Sequence, residues 1–154
     1  MRLIQSYIGV LKISKKADYG LIALRHLAIH YQGGSCSASD IAGVYGISTT
    51  LMAKILQKLA REGLVAARHG STGGYQLNRH PSSITILDAI RAVEGPLAIT
   101  SCVTSRGECS QSITCTIRQP LRRVNESILD VLSKVTISQM AEDAHTSEVV
   151  ELTV

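Results

Sequence analysis

Residues 37–68 read SASDIAGVYGISTTLMAKILQKLAREGLVAAR, and this stretch decides the fold. Ser37 or Ser39 can cap a short helix over residues 40–45, since a Ser oxygen accepts from the unpaired N–H groups of a first turn. Gly46 breaks that helix, because glycine takes a left-handed turn without strain. Ser48 caps a second helix running to about Glu62, with Leu51, Ile55, Leu56 and Leu59 on its buried face. Gly63 ends it. Two short helices joined by a tight glycine turn form a helix-turn-helix.

The segments that follow complete a wing. LVAAR (64–68) reads as a strand, HGSTGG (69–74) as a turn and YQLNR (75–79) as the returning strand. Upstream, residues 14–31 carry apolar side chains at 17, 21, 24, 27, 28 and 31, which is helical spacing. Ser14 caps that helix, Asp18 lies in its early turns where the helix dipole favours a carboxylate, and QGGS stops it. Downstream, SSITILDAIRAVEG is a helix capped near Ser83 or Thr85 and closed by Gly95-Pro96. TIRQPLRRVNESILDVLSKV is a long helix, and TISQMAED a last short one with Thr136 as cap. The expected class is mainly α with a small β-hairpin wing: a winged helix-turn-helix over residues 11–80, then helix, loop and dimerisation helix over 81–140, with tails at 1–10 and 142–154.

Composition narrows the function. The 154 residues include no Trp, no Phe and five Tyr, which excludes an aromatic stacking platform for single strands. No apolar run reaches membrane-spanning length and no signal-peptide cleavage site follows the N-terminus, so the cytoplasm is the expected compartment and no membrane partner is expected. Residues 11–80 hold nine Lys/Arg against three Asp/Glu, and residues 81–154 six against nine. A basic first half suits a polyanion.

Ser48, Thr49 and Thr50 at the start of the second helix are small and polar, as entry into a major groove requires. Lys54, Lys58 and Arg61 continue a basic face toward phosphates, and Arg68 with His69 arms the wing. Singly, each reads equally well as a cap or a solvated cation. In combination they point to double-stranded DNA. One such module rarely binds tightly alone, so the stripe Leu121, Val124, Ile128, Val131, Leu132 and Val135 is expected to make a dimer interface. No nucleophile–base arrangement or phosphate loop points to an enzyme.

Three of the four cysteines, Cys102, Cys109 and Cys115, crowd into the polar segment CVTSRGECSQSITC. In a reducing compartment clustered thiols are more often metal ligands or redox groups than disulfides. Zinc, a bare thiol sensor and an iron–sulfur cluster all remain open on these residues alone, although the tight C-x2-C pairs common in zinc sites are absent. Cys36 lies apart and reads as a bystander; His26 and His30 on the first helix are alternative ligands.

The segments KISKKADYGLIALRHLA, GISTTLMAKILQKLAREGLV, HGSTGGYQL, ITILDAIRAVEG, the three cysteines and VTISQMA, in this order, resemble bacterial iron–sulfur regulators of the IscR/NsrR/RirA type. The resemblance implies a homodimeric winged-helix transcription factor on a palindromic operator. It implies a 2Fe-2S or 4Fe-4S cluster held by Cys102, Cys109 and Cys115 that senses nitric oxide, redox state or iron–sulfur status. Some relatives place a His three residues after the last cysteine; here Arg118 stands there and cannot ligate. Others use an acidic residue early in the first helix of the partner subunit, and Asp18 matches that position. Arg106 would favour the thiolates. Leu11-Lys12-Ile13-Ser14 occupies the register at which family members begin, so Leu11 is the expected initiator. The readings of other kinds are a cluster-free thiol or zinc regulator and a small iron–sulfur electron carrier.

Overall fold

The computed structural model describes residues 13–100, 102, 109–111 and 113–143. The start-site reading at Leu11, Arg106, the tail at 1–10 and residues 144–154 of the other tail fall outside them, whereas Glu142, expected in that tail, ends the last helix. The order of elements is α1 (Lys15–Ile29), α2 (Ala38–Tyr45), α3 (Thr49–Arg61), β1 (Val65–Arg68), β2 (Gly74–Leu77), α4 (Ile86–Glu94), α5 (Arg118–Lys134) and α6 (Ile137–Glu142), with a single 3-10 turn at Pro81–Ser83 before α4.

Each helix of the winged part begins at a side-chain cap. The Ser14 hydroxyl accepts from the N–H of Ala17 at 3.2 Å. Ser37 and Asp40 form a reciprocal capping box on α2, and Ser48 caps α3. Gly46 turns the chain between α2 and α3 at φ 63°, where any other residue would be strained. Thr85 with Asp88, and Thr136 with Gln139, repeat the capping box on α4 and α6. The cap of α4 is therefore Thr85, while Ser83 closes the preceding turn.

One core runs through these elements. Leu24 and Leu27 of α1, Ile41 of α2, Met52, Ile55, Leu56 and Leu59 of α3, Leu64, Val65 and Leu77 of the hairpin, Ile84 and Val93 around α4, and Ile137 of α6 belong to the same buried cluster. The buried face of α3 takes Met52, whereas Leu51 is only half-covered, at the edge of a cleft with Lys16, Lys58 and Val93. Positions 52, 55, 56 and 59 share one side of a helix, and 51 lies just off it. Each fully buried aliphatic contributes about 2 kcal/mol of transfer free energy, which is why α3 is held firmly enough to present its other face.

β1 and β2 pair antiparallel with Val65 opposite Leu77 and Arg68 opposite Gly74. A third segment joins them: the N–H of Cys36 donates to the carbonyl of Tyr75 at 2.9 Å and the N–H of Tyr75 to that of Cys36 at 2.8 Å. A Cβ on Gly74 would stand 2.5 Å from the Cys36 carbonyl oxygen, so the second glycine of the Gly-Gly-Tyr run is demanded by this close approach. α6 is tied back to α1, with Arg25 Nε donating to the Met140 carbonyl at 3.0 Å.

Candidate functional site

Ser48, Thr49, Thr50, Lys54 and Arg61 all lie exposed at or along α3, opposite its buried face. Thr50, Lys54, Gln57 and Arg61 are spaced as one helical stripe, and Gln57 is exposed with them. Sequence reading passed over Gln57, although its amide can reach base edges and its spacing from Lys54 was visible. Lys58 differs from these in being half-buried. Its ammonium donates to the Val93 carbonyl at 2.7 Å, at the C-terminal end of α4, where a cation also meets the negative end of the helix dipole. Lys58 thus fastens α3 to α4. Arg68 and His69 are exposed where β1 enters the wing turn.

The second region is the loop between α4 and α5. Cys102, Cys109 and Cys115 are free thiols of intermediate exposure, and Cys102 Sγ lies 3.2 Å from the Thr100 hydroxyl. Among the described residues the three sulfurs do not come together in a single metal-sized group, and Asp18 is not gathered with them. Asp18 sits in the first turn of α1 with its side chain 49% exposed, 3.7 Å from Lys15 Nζ. A residue the sequence reading missed anchors this loop. Asn125, the buried residue of α5, accepts from the N–H of Ile99 at 3.1 Å, three positions before Cys102. A buried amide on an otherwise apolar stripe was the available signal, because a buried polar group needs a partner.

α5 has two apolar sides. Ile128 and Leu132 line a groove with Asn125, Ile13, Ala17, Ile90, Leu97 and Ile99, of about 370 Å³. Val124 and Val131 line a second, open groove together with Ile128 and Leu132, and are 49% and 60% exposed. Leu121 is half-buried, and the Val135 carbonyl accepts from the N–H of Ile86, so Val135 closes α5 onto α4.

Three His and Cys side chains of the winged part do gather. His26, His30 and Cys36 bring their ligand atoms within 4.8 Å of one another. Burial, then the neighbouring His30, hold His26 below the ordinary histidine value; burial, then Asp40, push the Cys36 thiol up.

A capped helix-turn-helix with a hairpin wing and an exposed polar stripe on its second helix is the class of a winged-helix DNA-binding regulator. The family described as Rrf2, iron-dependent transcriptional regulator, matches residues 13–143, and the chain belongs to it. Solved structures agree. IscR of T. potens is 30% identical with a TM-score of 0.73, covering 92% of this chain and 93% of its own. CymR (YrzC), the global cysteine regulator of B. subtilis, is 29% identical with a TM-score of 0.71, covering 87% and 98%. The oxidized form of Staphylococcus aureus CymR is 29% identical with a TM-score of 0.66, covering 86% and 97%. Among the described residues no helix is long and apolar enough to cross a membrane.

Proposed function

We propose that the chain is a cytoplasmic homodimeric regulator whose affinity for a palindromic operator is controlled by an iron–sulfur cluster, 2Fe-2S or 4Fe-4S. In this reading residues 11–80 bind DNA, and residues 81–140 sense and dimerise. Cys102, Cys109 and Cys115 hold the cluster, with Asp18 of the partner subunit as the remaining ligand. The donor set fits the group: the three thiols are free and half-buried on an irregular loop, and thiolates are the usual ligands of such clusters. The half-exposed Asp18 carboxylate is a weaker oxygen ligand, suited to displacement by nitric oxide or a redox change.

The observation that carries the reading is the Asn125–Ile99 bond. It fixes the start of the cysteine loop to α5, the helix whose Val124 and Val131 face solvent. A change at the loop is thereby a change at the proposed dimer helix. Two half-sites on one face of DNA lie about 34 Å apart, so a small rotation between the winged units alters the fit of both α3 stripes. Within each unit Ser48, Thr49, Thr50 and Gln57 face the major groove, while Lys54, Arg61, Arg68 and His69 meet the backbone. A bound cluster supplies a redox-sensitive and nitrosylation-sensitive centre; the chain supplies its ligands and the link to α5. A difference of about 1–3 kcal/mol between the two states is enough for a switch.

The second reading is a regulator that senses through the thiols themselves or through zinc. It is favoured by the likeness to CymR, the global cysteine regulator. Anaerobic purification followed by absorption spectroscopy and counts of iron and acid-labile sulfide per chain separates the two. The cluster reading expects stoichiometric iron and sulfide, lost in Cys109→Ser. A colourless protein without sulfide after attempted reconstitution gives the thiol or zinc reading its place.

A further inference from the structure

His26 of α1 and His30, the residue that caps the C-terminal end of that helix, have ring centroids 4.3 Å apart. Cys36 is pressed against them because its backbone is bridged in both directions to Tyr75 of β2. The three ligand atoms lie within 4.8 Å of one another. His26 is 7% exposed, Cys36 is half-buried and His30 is exposed, so the group opens to solvent on one side.

Each imidazole is oriented by a partner on its other nitrogen. His30 Nδ1 is 2.8 Å from the His26 carbonyl, which can only accept; Nδ1 therefore carries the proton and Nε2 keeps the lone pair. His26 Nδ1 is 3.3 Å from the Tyr45 hydroxyl, which can accept the same way and leave Nε2 free. Such partners on the second nitrogen are what metal-binding histidines have.

We propose that His26, His30 and Cys36 form a site for a borderline-soft divalent cation of the zinc type, separate from the cysteine loop. Two imidazole nitrogens and one thiolate are the donors such an ion prefers, with water in the remaining position. Tetrahedral bonding requires donors about 3.3–3.7 Å apart, a closure of about 1 Å from the present limit. Rotation of the exposed His30 ring and of the Cys36 thiol supplies it. On binding, the thiol proton leaves to solvent and the sulfur–metal bond takes its place. The ion would join the end of α1 to the segment that leads into α2 and borders the wing.

The test uses the full chain carrying Cys102→Ser, Cys109→Ser and Cys115→Ser, which leaves Cys36 as the one thiol. Cobalt(II) is titrated in as the probe and zinc is then added as competitor. A thiolate-to-cobalt charge-transfer band saturating at one ion per chain, bleached by zinc, is expected. Adding Cys36→Ser should abolish the band, and adding His30→Ala should weaken cobalt at least ten-fold. No saturating band, a band that survives Cys36→Ser, or an affinity unmoved by His30→Ala overturns the proposal. X-ray absorption at the zinc edge of the triple-serine chain needs no further variant: two nitrogens and one sulfur are expected, and a sulfur-free shell overturns it. Because the triple-serine chain lacks the loop cysteines, the outcome is independent of the cluster reading.

Discussion

Helices α3 and α5 are both amphipathic, yet they end in opposite circumstances. α3 buries Met52, Ile55, Leu56 and Leu59 against its own chain. α5, at 17 residues the longer helix, buries Asn125 and leaves Val124 and Val131 to solvent. A periodic apolar stripe says that a face wants cover, and nothing about whose atoms provide it. α3 is held by its own domain, which leaves its outer face open for the DNA contact proposed for it. α5 is finished only by a second copy, in the reading argued above, and so is free to report on the loop fastened to it.

The largest effect should come from loosening α3. Leu56 is fully buried, and Leu56→Ala removes three side-chain carbons from a packed site, at a cost of about 2–5 kcal/mol. Urea unfolding followed by circular dichroism measures it, with the slope unchanged. The α5 counterpart should behave in the opposite way. Val131→Asp places a charge on a face that is 60% exposed in the single chain, so the fold should survive. The dimer should not survive, because an unpaired carboxylate would be buried against the partner. Sedimentation should report monomers, with operator affinity lowered about a hundred-fold, or about 2.7 kcal/mol. A Val131→Asp dimer that still binds operator would break the contrast between the two helices.

The same contrast explains what could be read in advance. Caps and glycine turns are local, so Ser14, Ser48, Gly46 and Thr136 gave their elements away in the sequence. The winged fold followed, because alternation in the hairpin and helical spacing in α1 and α3 are likewise local. What local pattern does not carry sits where a long-range partner decides. Lys58 looks like a DNA cation until α4 brings the Val93 carbonyl to it, 35 residues away. Asn125 interrupts an apolar stripe, and its reason is Ile99, 26 residues away. Cys36 looks like a bystander because its histidine neighbours belong to α1 and its end, while its own segment is bridged to Tyr75 of the hairpin. The loop cysteines are the extreme case: their spacing suggests a shared ligand, while among the described residues of the single chain the three sulfurs form no metal-sized group.

Lys54 and Lys58 sharpen this at the level of one turn. Lys54 is exposed, and Lys54→Ala should weaken operator binding about three- to ten-fold and flatten the dependence of log affinity on log salt by about one. Lys58→Ala should leave that slope alone and lower thermal stability instead, since it leaves the Val93 carbonyl without its charged donor. Gel-shift titrations over a salt series, paired with melting curves, separate the two. Equal slopes lost by both residues would mean that Lys58 leaves Val93 when DNA arrives.

The smallest effect belongs to the cap of α2. The Ser37 hydroxyl accepts from the Asp40 N–H at 3.0 Å and donates to the Asp40 carboxylate at 2.6 Å. Ser37→Ala should cost about 1 kcal/mol at neutral pH, read from the urea midpoint. The Ser37 side-chain and backbone hydrogen bonds hold the Asp40 carboxyl below its ordinary value. A depressed carboxyl binds its proton more readily in the unfolded chain, so its stabilisation is present above the unfolded value, about pH 3.9, and is lost as pH falls through the lower folded value. The gap between the native chain and Asp40→Asn should therefore be constant from neutral pH down to about 4.5 and shrink below it. A gap that persists to lower pH would assign the stabilisation to the geometry of the turn, with the charge at the helix start contributing nothing.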